Sequence, residues 1–490
     1  MHAKQVERML VFLSLLPLSF LTTLVLLAPV KAELVVTEDL SLDVKPGRIL
    51  PDAENDCYWI TAWLSGLLCV TEEQPGLWGT EMYPQYEVID AAGPTSAGYI
   101  YCTYESGYPN PLEAGIAIFD CASRQYIDTI DLPWEYGLSA ITISPDEERL
   151  YGTVLTTEIQ NDSPEEASEN SGLVVEIDIA SGSVLRTCSV RAWPETIFLW
   201  NDCMILVSCQ KGYWVEYEDD QKEMKSTTEI VSLDTFTKVA QIPSGAAVWH
   251  RTNEFIQWDE SRVGLLNAIL NSDWDDPKFL DSVWLIDPET GSVTESFPTP
   301  DSYGREHGVK RAYRSRLCPD LFYLALMEDM DFGYDDPRLI VTDINGIYTD
   351  SAVGTPDHFA PGYIYELDDG RVMVTDAIFH KIYIFEWVNH PPICALELLT
   401  PMPYVGPSPA LIEFNATPSY DPDPCDELTY EWDFDGDGLY GEPVDDSYTG
   451  DPDNPTHSYT ASYHGPVLLR LSDNHGSQMT CTVYVDVEII

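Results

Sequence analysis

The feature that most constrains this chain is an apolar run, closed by an aspartate, that recurs at a nearly constant interval. The closing residues are Asp120, Asp178, Asp234, Asp287 and Asp343, spaced 58, 56, 53 and 56 residues apart. In the copy at 99–151, this run is one of four short segments with alternating or continuous apolar residues that end at Gly, Pro, Asp or Ser, as β-strands do. Four strands per repeat of this length are typical of a β-propeller. We therefore predict an all-β fold in which each repeat is one blade.

The number of blades follows from how the first and last repeats are completed. The last repeat holds strand-like segments at 372–375 and 382–385 but has no outer strand after them. The segment 34–44 has the apolar pattern of an outer strand and precedes the first full repeat. We predict seven blades in a propeller domain at 33–388, closed by this N-terminal strand so that no sheet edge is left open. Six and eight blades remain alternatives.

The short turns of the repeats carry a pattern of their own. An Asp-x-x-x-Gly turn follows the third strand, as at 287–291, and a Pro-Asp-x-x turn precedes the second strand, as at 145–148. In this order the turns resemble those of seven-bladed β-propellers of the YVTN/surface-layer type. The resemblance covers 34–388.

A second domain begins at Asn389-His-Pro-Pro392, where the repeat pattern stops. Its segments 389–392, 414–423, 428–438, 455–459 and 467–473 resemble the successive motifs of a PKD domain, and together they span 389–490. The resemblance implies a small immunoglobulin-like β-sandwich in which His457 and Tyr459 are structural. It also implies a disulfide between Cys394 and Cys481, because the first and last strands of such sandwiches are neighbours.

The N-terminus predicts export. Residues 1–32 carry Lys4 and Arg8, an apolar run at 9–27 and then Val-Lys-Ala, the pattern of a signal peptide cleaved after Ala32. An uncleaved N-terminal anchor is the alternative, because the run is long. No second long apolar run follows, so we expect a secreted or extracytoplasmic chain without membrane insertion after cleavage. The exported part holds 11 cysteines, an odd number that leaves at least one thiol unpaired or intermolecular.

The charge narrows the choice of partners. Lys and Arg number 25 against 82 Asp and Glu, a formal net charge of −57. Such a balance argues against nucleic acid or an anionic membrane as a partner. It is compatible with bound cations, with cationic or neutral ligands such as carbohydrate or protein at the cell surface, or with life in high salt. A merely solvated acidic surface is the simpler explanation of this charge.

The extra residues of the repeats fall on one side. Loops between the second and third strands are long, at 104–114, 156–172, 210–227, 271–281 and 328–338. They share a face with the connections between blades, and insertions on one face often mark a binding face. The connections carry aromatic, acidic, His and Arg residues: Trp134, Glu135, Tyr136, Trp193, Glu195, Trp249, His250, Arg251, Arg305, Glu306, His307, Asp357 and His358.

These connections recur at one point of the repeat, so we predict that they ring the mouth of the central channel. Flat aromatic faces and charged tips suit a polar ligand. The alternative for each tryptophan is packing between neighbouring blades. The three histidines, at 250, 307 and 358, offer acid/base or metal chemistry, but no spacing supports a histidine metal triad.

One acidic motif predicts a metal. Asp433, Asp435 and Asp437 alternate before Gly438, and Ca²⁺ favours hard oxygens packed around a sharp turn. The bidentate glutamate of an EF-type loop is absent, since Val444 occupies its place. The alternative is a simple Asp-Gly turn with its neighbouring aromatics pointing into the sandwich. Ca²⁺ is the one cofactor that the sequence suggests.

Three functions fit these observations. No GxSxG, HExxH or P-loop motif occurs, so the leading hypothesis is a secreted, non-catalytic binding or scaffold protein. Its propeller face binds carbohydrate or protein, and the PKD-like domain acts as a spacer or adhesive module. An extracellular propeller enzyme of lactonase-like, lyase or quinoprotein type is the second, since the fold alone excludes none of them. A structural surface protein whose acidity serves solubility in salt is the third.

Overall fold

The computed structural model describes residues 33–106, 113–134, 137–155, 172–216, 222–246, 254–266, 282–298, 308–327, 338–344, 348–351, 359, 361–423, 425–445 and 447–490. Within these ranges the regular elements are β-strands. None of the described residues forms a helix of the length and apolarity that a bilayer crossing requires. The proposed signal peptide lies outside the described residues. Backbone contacts divide the rest into two units, Glu33–Val388 and Asn389–Ile490.

The first unit consists of seven four-stranded antiparallel sheets. In chain order, the first sheet contains β2 (Pro46–Asp52), β3 (Cys57–Ala62), β4 (Gly66–Gln74) and β5 (Leu77–Tyr83), and the second contains β6 (Val88–Ala92), β7 (Tyr99–Ser106), β8 (Glu113–Asp120) and β9 (Gln125–Asp131). The third sheet contains β10 (Leu138–Ile143), β11 (Arg149–Leu155), β12 (Gly172–Asp178) and β13 (Ser183–Val190), and the fourth contains β14 (Ala192–Trp200), β15 (Met204–Glu216), β16 (Lys222–Ser232) and β17 (Thr237–Ala246).

The fifth sheet contains β18 (Glu254–Gln257), β19 (Val263–Leu266), β20 (Ser282–Asp287) and β21 (Ser292–Pro298), and the sixth contains β22 (Gly308–Arg314), β23 (Leu321–Met327), β24 (Arg338–Asp343) and β25 (Tyr348–Ser351). The seventh sheet contains β26 (Pro361–Glu366), β27 (Val372–Asp376), β28 (Lys381–Val388) and the N-terminal strand β1 (Glu33–Ser41). The first strand of each sheet contacts that of the next, from β2 through β6, β10, β14, β18, β22 and β26 and back to β2. The sheets therefore form a closed ring with these strands innermost, which is a β-propeller.

The ring is closed by the N-terminal strand, as the sequence predicts. β1 pairs antiparallel with β28, from Glu33 opposite Val388 to Ser41 opposite Lys381. Leu34 is 1% exposed and belongs to the apolar cluster of the last two sheets. A full strand thus covers the outer edge of β28, which is how a propeller removes its open edges.

The aspartates that set the period stabilise turns, as expected. Asp120 accepts a hydrogen bond from the Ala122 amide at 3.2 Å, and Asp178 accepts one from the Ser181 amide at 2.9 Å. Asp287 does the same with the Glu289 amide at 2.9 Å. Such Asx turns fix the tight connection from the third to the fourth strand.

The fourth sheet differs from the prediction in two places. Much of the predicted loop at 210–227 is strand, because β15 and β16 continue as a ladder from Tyr213 opposite Lys225 to Glu216 opposite Lys222. The innermost strand β14 begins at Ala192, so Trp193 and Glu195 belong to that strand and not to a connection. Hydrogen bonds between neighbouring strands extend the β15–β16 pair and β14 beyond the apolar segments from which the strands were predicted.

The second unit has two four-stranded sheets over one core. Their strand orders are β29–β31–β34–β33 and β30–β36–β35–β32. The strands are β29 (Glu397–Leu398), β30 (Tyr404–Gly406), β31 (Ala410–Asn415), β32 (Thr429–Asp433), β33 (Tyr448–Asp451), β34 (Asn454–Tyr459), β35 (Tyr463–Ser472) and β36 (Gln478–Ile489).

Alternate residues of both sheets form the core of this unit. Phe414 of β31 and Leu469 of β35 are fully buried in the same cluster. The rings of Trp432 and Phe434 are stacked, and the ring of His457 is also stacked on Phe434, with 4.2 Å between the Phe434 and His457 ring centroids. A disulfide joins Cys394 to Cys481, with 6.0 Å between their Cα atoms.

Candidate functional site

Most of the predicted ring at the channel mouth lies outside the described residues. This holds for Glu135, Tyr136, Trp249, His250, Arg251, Arg305, Glu306, His307, Asp357 and His358. Of the described members, Trp134 packs against the apolar cluster shared by the second and third sheets. Trp193 and Glu195 lie on the innermost strand β14, and Trp193 has a left-handed backbone with φ 57°.

A different ring is present inside the channel. One position recurs on every innermost strand. In five sheets this residue is paired with a residue of the second strand, and in the first and last sheets it lies within the irregular step between two paired residues. In six of the seven sheets the ladder is irregular at this point, as at a β-bulge. The residues at this position are Arg48, Asp90, Ala140, Thr196, Glu254, Arg311 and Tyr363. We call them the channel ring.

Threonine hydroxyls of the second strands hold three of these irregularities. The Arg48 amide donates to Thr61 Oγ1 at 2.8 Å, and the Asp90 amide donates to Thr103 Oγ1 at 3.0 Å. The Tyr363 amide is bound in the same way, at 2.9 Å from its threonine partner on β27. A backbone donor that the irregular ladder would leave unpaired thereby gains an acceptor, and the ring side chain is held in one direction.

Charge pairs connect the ring across the first three sheets. Arg48 Nη1 lies 3.4 and 3.3 Å from the two carboxylate oxygens of Asp90 and donates to the Ile141 carbonyl at 3.1 Å. The Ile141 amide in turn donates to Asp90 Oδ2 at 3.0 Å. Burial alone would lower the pKa of Arg48, but the nearby carboxylate of Asp90 holds that pKa above its ordinary value.

The opposite side of the ring has an equivalent arrangement. Arg311 forms an ion pair with Glu254 of the preceding sheet and donates to the Tyr363 hydroxyl of the next at 3.1 Å. Its guanidinium also lies 4.4 Å from the centre of the Tyr363 ring. Burial, first of all, raises the pKa of the Tyr363 hydroxyl.

The channel ring is polar without an excess of either charge. Two guanidinium groups pair with two carboxylates, and a phenol, a threonine and an alanine complete the seven residues. The four charged side chains are 14–34% exposed. Such a ring can fix adjacent sheets relative to one another and can offer donors and acceptors to a neutral polar ligand. The sequence did not predict the channel ring, because its seven residues occupy equivalent positions on the innermost strands but differ in chemical type.

The predicted calcium motif forms a tight turn. Carboxylate oxygens of Asp433, Asp435 and Asp437 lie within 4.8 Å of one another. Asp433 is fully buried, and its two oxygens accept the amides of Gly436 at 2.6 Å and Gly438 at 2.8 Å. The residue that would anchor a cation is thus already bonded to the backbone, while the other two carboxylates are exposed. This arrangement favours the turn interpretation, although the buried Oδ2 of the neighbouring Asp445 also has no hydrogen-bond partner among the described residues.

A second acidic cluster has a different character. Asp421, Asp426 and Asp473 each present an oxygen within 4.8 Å of the others. Asp473 is only 7% exposed, and its Oδ1 accepts the amides of His475 at 2.9 Å and Ser477 at 2.8 Å. Among the described residues, the buried Oδ2 atoms of Asp473 and Asp421 have no hydrogen-bond partner. An unpaired buried carboxylate oxygen is costly, so these oxygens are candidate cation ligands.

The electrostatics of this cluster support that reading. Burial raises the pKa of both Asp421 and Asp426, and the adjacent carboxylates of Asp423 and Asp473 raise them further. His475 Nδ1, 3.0 Å from Asp426, offsets part of this effect. Asp421 and Asp473 fall within the PKD-like segments, where the sequence indicated them as part of the fold and not as ligands, and Asp426 lies between two of those segments.

Comparison with known proteins identifies a fold and no family. No family model matches the sequence, and no curated protein does. Among solved structures, Kuenenia stuttgartiensis hydrazine synthase is similar over 70% of this chain and 96% of its own, at 13% identity and a TM-score of 0.50. The Neurospora crassa Pan2 WD40 domain matches at 11% identity over 72% of this chain and 95% of its own, with a TM-score of 0.49. The first similarity shows the fold alone and agrees with the predicted β-propeller.

Proposed function

We propose that the chain is a secreted, non-catalytic binding or scaffold protein whose C-terminal domain holds Ca²⁺. The observation that carries the calcium proposal is the buried, unpartnered Oδ2 of Asp473, in a residue whose carboxylate has an oxygen within 4.8 Å of those of Asp421 and Asp426. The resemblance of 389–490 to PKD domains supports a spacer or adhesive role for this unit. The signal-like N-terminus and the Cys394–Cys481 disulfide support an extracytoplasmic location.

Calcium is the cation that this donor set fits best. The three side chains supply only carboxylate oxygens, which hard cations prefer, whereas Zn²⁺ selects nitrogen and sulfur. Ca²⁺ accepts irregular oxygen shells, and Mg²⁺ demands a near-octahedral one. A bound divalent cation would also relieve the mutual repulsion that raises the pKa of Asp421 and Asp426. We therefore expect the metal to stabilise the second unit.

Calorimetric titration of the full chain with CaCl₂ after chelator treatment tests this site. Asp473→Asn keeps the shape of the side chain and removes its charge, so we expect calcium affinity to fall at least about tenfold. Asp435→Asn is the matched control, because it removes an exposed carboxylate of the other acidic cluster. Equal calcium binding by wild type and Asp473→Asn, or loss only in Asp435→Asn, contradicts the assignment.

For the propeller we propose a carbohydrate or protein ligand at the loop face. The neutral, polar channel ring beneath that face supports a ligand rich in hydroxyl or amide groups more than a strongly charged one. Trp193 lies on an innermost strand and is the described tryptophan that we propose for such a ligand, whereas Trp134 packs against an apolar cluster. A glycan array and a surface pull-down comparing Trp193→Ala with Trp134→Ala at matched folding test this. Identical binding profiles for wild type and Trp193→Ala would remove Trp193 from the site.

A further inference from the structure

Two neighbouring sheets of the propeller have short turns on the loop face. The second and third strands are joined by residues 63–65 in the first sheet and by residues 377–380 in the seventh. In the other five sheets a longer segment or, in the fourth, an extended hairpin lies between these strands. The first and seventh sheets adjoin in the ring. We call their two turns, together with the connection 42–45 between them, the low sector.

The low sector exposes large apolar side chains. Trp63 is 45% exposed, Phe379 43% and Ile378 37%. The other large apolar side chains that are exposed in the described part of the first unit lie on outer strands or at the opposite face, as Leu77 and Leu317 do. Aromatic and aliphatic side chains gathered on one part of a surface are typical of an interaction site.

Backbone hydrogen bonds join the two turns through the connection between them. The Trp63 amide donates to the Lys45 carbonyl at 3.0 Å, and the Leu42 amide donates to the His380 carbonyl at 2.7 Å. The connection 42–45 is therefore bonded at one end to the turn of the seventh sheet and at the other to the turn of the first.

Further hydrogen bonds fix the backbone that carries the exposed side chains. The fully buried Asp376 accepts the amides of Ile378 at 3.0 Å and Phe379 at 2.9 Å. In the other turn, the Leu64 amide donates to the Val88 carbonyl of the second sheet at 3.0 Å. Side chains on turns that are already fixed lose less freedom when a partner binds, which favours affinity.

The low sector also carries a positive charge. The ammonium of Lys45 lies 5.0 Å from the centre of the Trp63 ring. No carboxylate of the described residues forms an ion pair with Lys45, although the chain has 82 Asp and Glu against 25 Lys and Arg. A partner with a carboxylate beside its apolar side chains would complement both the ammonium and the exposed apolar surface.

The strands that connect the first unit to the rest of the chain leave the low sector open. In the ladder of β1 and β28, Ser41 lies opposite Lys381 at one end, and Glu33 lies opposite Val388 at the other. Ser41 and Lys381 adjoin the low sector, so Glu33 and Val388 lie at the opposite face. Neither connection of the first unit therefore crosses the low sector.

We propose that the low sector binds a segment of a different protein that presents apolar side chains next to an acidic residue. The inference rests on the proposed binding role of the loop face, and it specifies the place and the chemistry of the partner. The aliphatic Ile378 favours a protein over a saccharide, because saccharide sites combine flat aromatic faces with several hydrogen-bonding groups. The net charge of −57 opposes association with a second copy or with an anionic membrane.

Selection of short random peptides, displayed on phage, against the immobilised full chain tests the proposal. We expect the enriched peptides to combine Trp, Phe, Leu or Ile with Asp or Glu. Their affinity should fall at least about tenfold in Trp63→Ala and in Phe379→Ser, as at interface hot spots. Lys45→Gln should cause a smaller loss that disappears at high salt. Leu77→Ala, the matched control, should bind as wild type, because Leu77 is 53% exposed on the outer strand of the first sheet.

Phe379→Ser changes the second turn independently, so the test stands even if Trp63→Ala does not fold. Peptides that bind both variants as tightly as wild type overturn the proposal, and so does an enriched set without acidic residues. Peptides that lose affinity only in Trp193→Ala would keep the ligand at the loop face but remove the low sector from it. Absence of both peptide and glycan binding would contradict the proposed function as well.

Two further measurements identify a different occupant. Sedimentation of the full chain would show a concentration-dependent dimer, abolished by Trp63→Ala, if a second copy occupied the low sector. A glycan array would show a signal lost in the same variant if a saccharide did. Either result overturns the assignment to a different protein.

Discussion

Arg48 and Asp90, on the innermost strands of adjacent sheets, form a guanidinium–carboxylate pair with 3.3 Å between Nη1 and Oδ2. Both groups also bond to the backbone of Ile141 in the third sheet. One pair thereby connects three sheets, and Arg311 does the same on the far side through Glu254 and Tyr363. Polar pairing around the axis thus complements the apolar packing that joins the sheets farther out.

The coupling between Arg48 and Asp90 can be measured. Arg48→Met leaves the Asp90 carboxylate without its cation, so we expect the free energy of unfolding to fall by about 1–3 kcal/mol. The partial exposure of Arg48, at 34%, keeps this below the cost for a fully buried pair. A double-mutant cycle with Asp90→Asn, followed by denaturant unfolding, should give a coupling energy of about 1 kcal/mol or more.

The matched control is the pair of Arg124 and Glu81, which are 2.8 Å apart but 41% and 59% exposed. The same cycle there should give a coupling energy that cannot be distinguished from zero. Equal coupling in the two cycles would show that position in the channel adds nothing to the Arg48–Asp90 pair.

The repeat and its closure were predictable because they depend on local pattern. Apolar runs such as Ile205 to Val207 are buried on both faces, since each sheet packs between two others. The turn aspartates are local too, as Asp178 bonds within its own turn. The strand at 33–41 could be assigned because the last repeat lacked one and a closed ring needs it.

The channel ring and the acidic cluster depend on distant residues and could not be predicted in this way. Arg48 and Asp90 are 42 positions apart, and only the closed ring brings them together. Asp421 and Asp473 are close together because two loops converge. The sequence of either loop does not reveal which carboxylate oxygen lacks a hydrogen-bond partner. The extension of β15 to Glu216 was not predicted, because hydrogen bonding between strands leaves no pattern of apolar residues in the sequence.

Closure of the ring predicts that the N-terminal strand is essential. Leu34→Ala removes a side chain that is 1% exposed and packed in the cluster that contains Phe359 and Phe385. We expect a loss of about 2–4 kcal/mol in the free energy of unfolding, from lost burial and the cavity left behind. Asp39→Ala, on the exposed face of the same strand, should change it by less than about 1 kcal/mol. Equal, small effects of both would indicate that β1 is dispensable.

The disulfide of the second unit should contribute strongly to stability. Cys394 and Cys481 are 87 residues apart, so their bond removes a large amount of chain entropy from the unfolded state. Replacing both by Ala should lower the free energy of unfolding of this unit by about 3–4 kcal/mol. Thermal unfolding followed by near-UV circular dichroism, which reports the Trp432 and Phe434 stack, measures the effect. An unchanged midpoint would mean that the packed core alone supports the unit.

His457 predicts a pH dependence of the same unit. Its ring is stacked on Phe434, and burial lowers its pKa to about 4, although a hydrogen bond with the Ser447 backbone raises it in part. The unfolded chain takes up a proton near the ordinary value of 6.5, whereas the folded chain stays neutral until about 4. The contribution of neutral His457 to stability is therefore complete above pH 6.5 and is lost as the pH falls from 6.5 towards 4, by up to about 3 kcal/mol. His457→Phe keeps the stack and removes the titration, so denaturant unfolding of this variant should show a flatter profile over that range. A wild-type profile as flat as that of the variant would mean that His457 is already protonated in the fold or equally buried when unfolded.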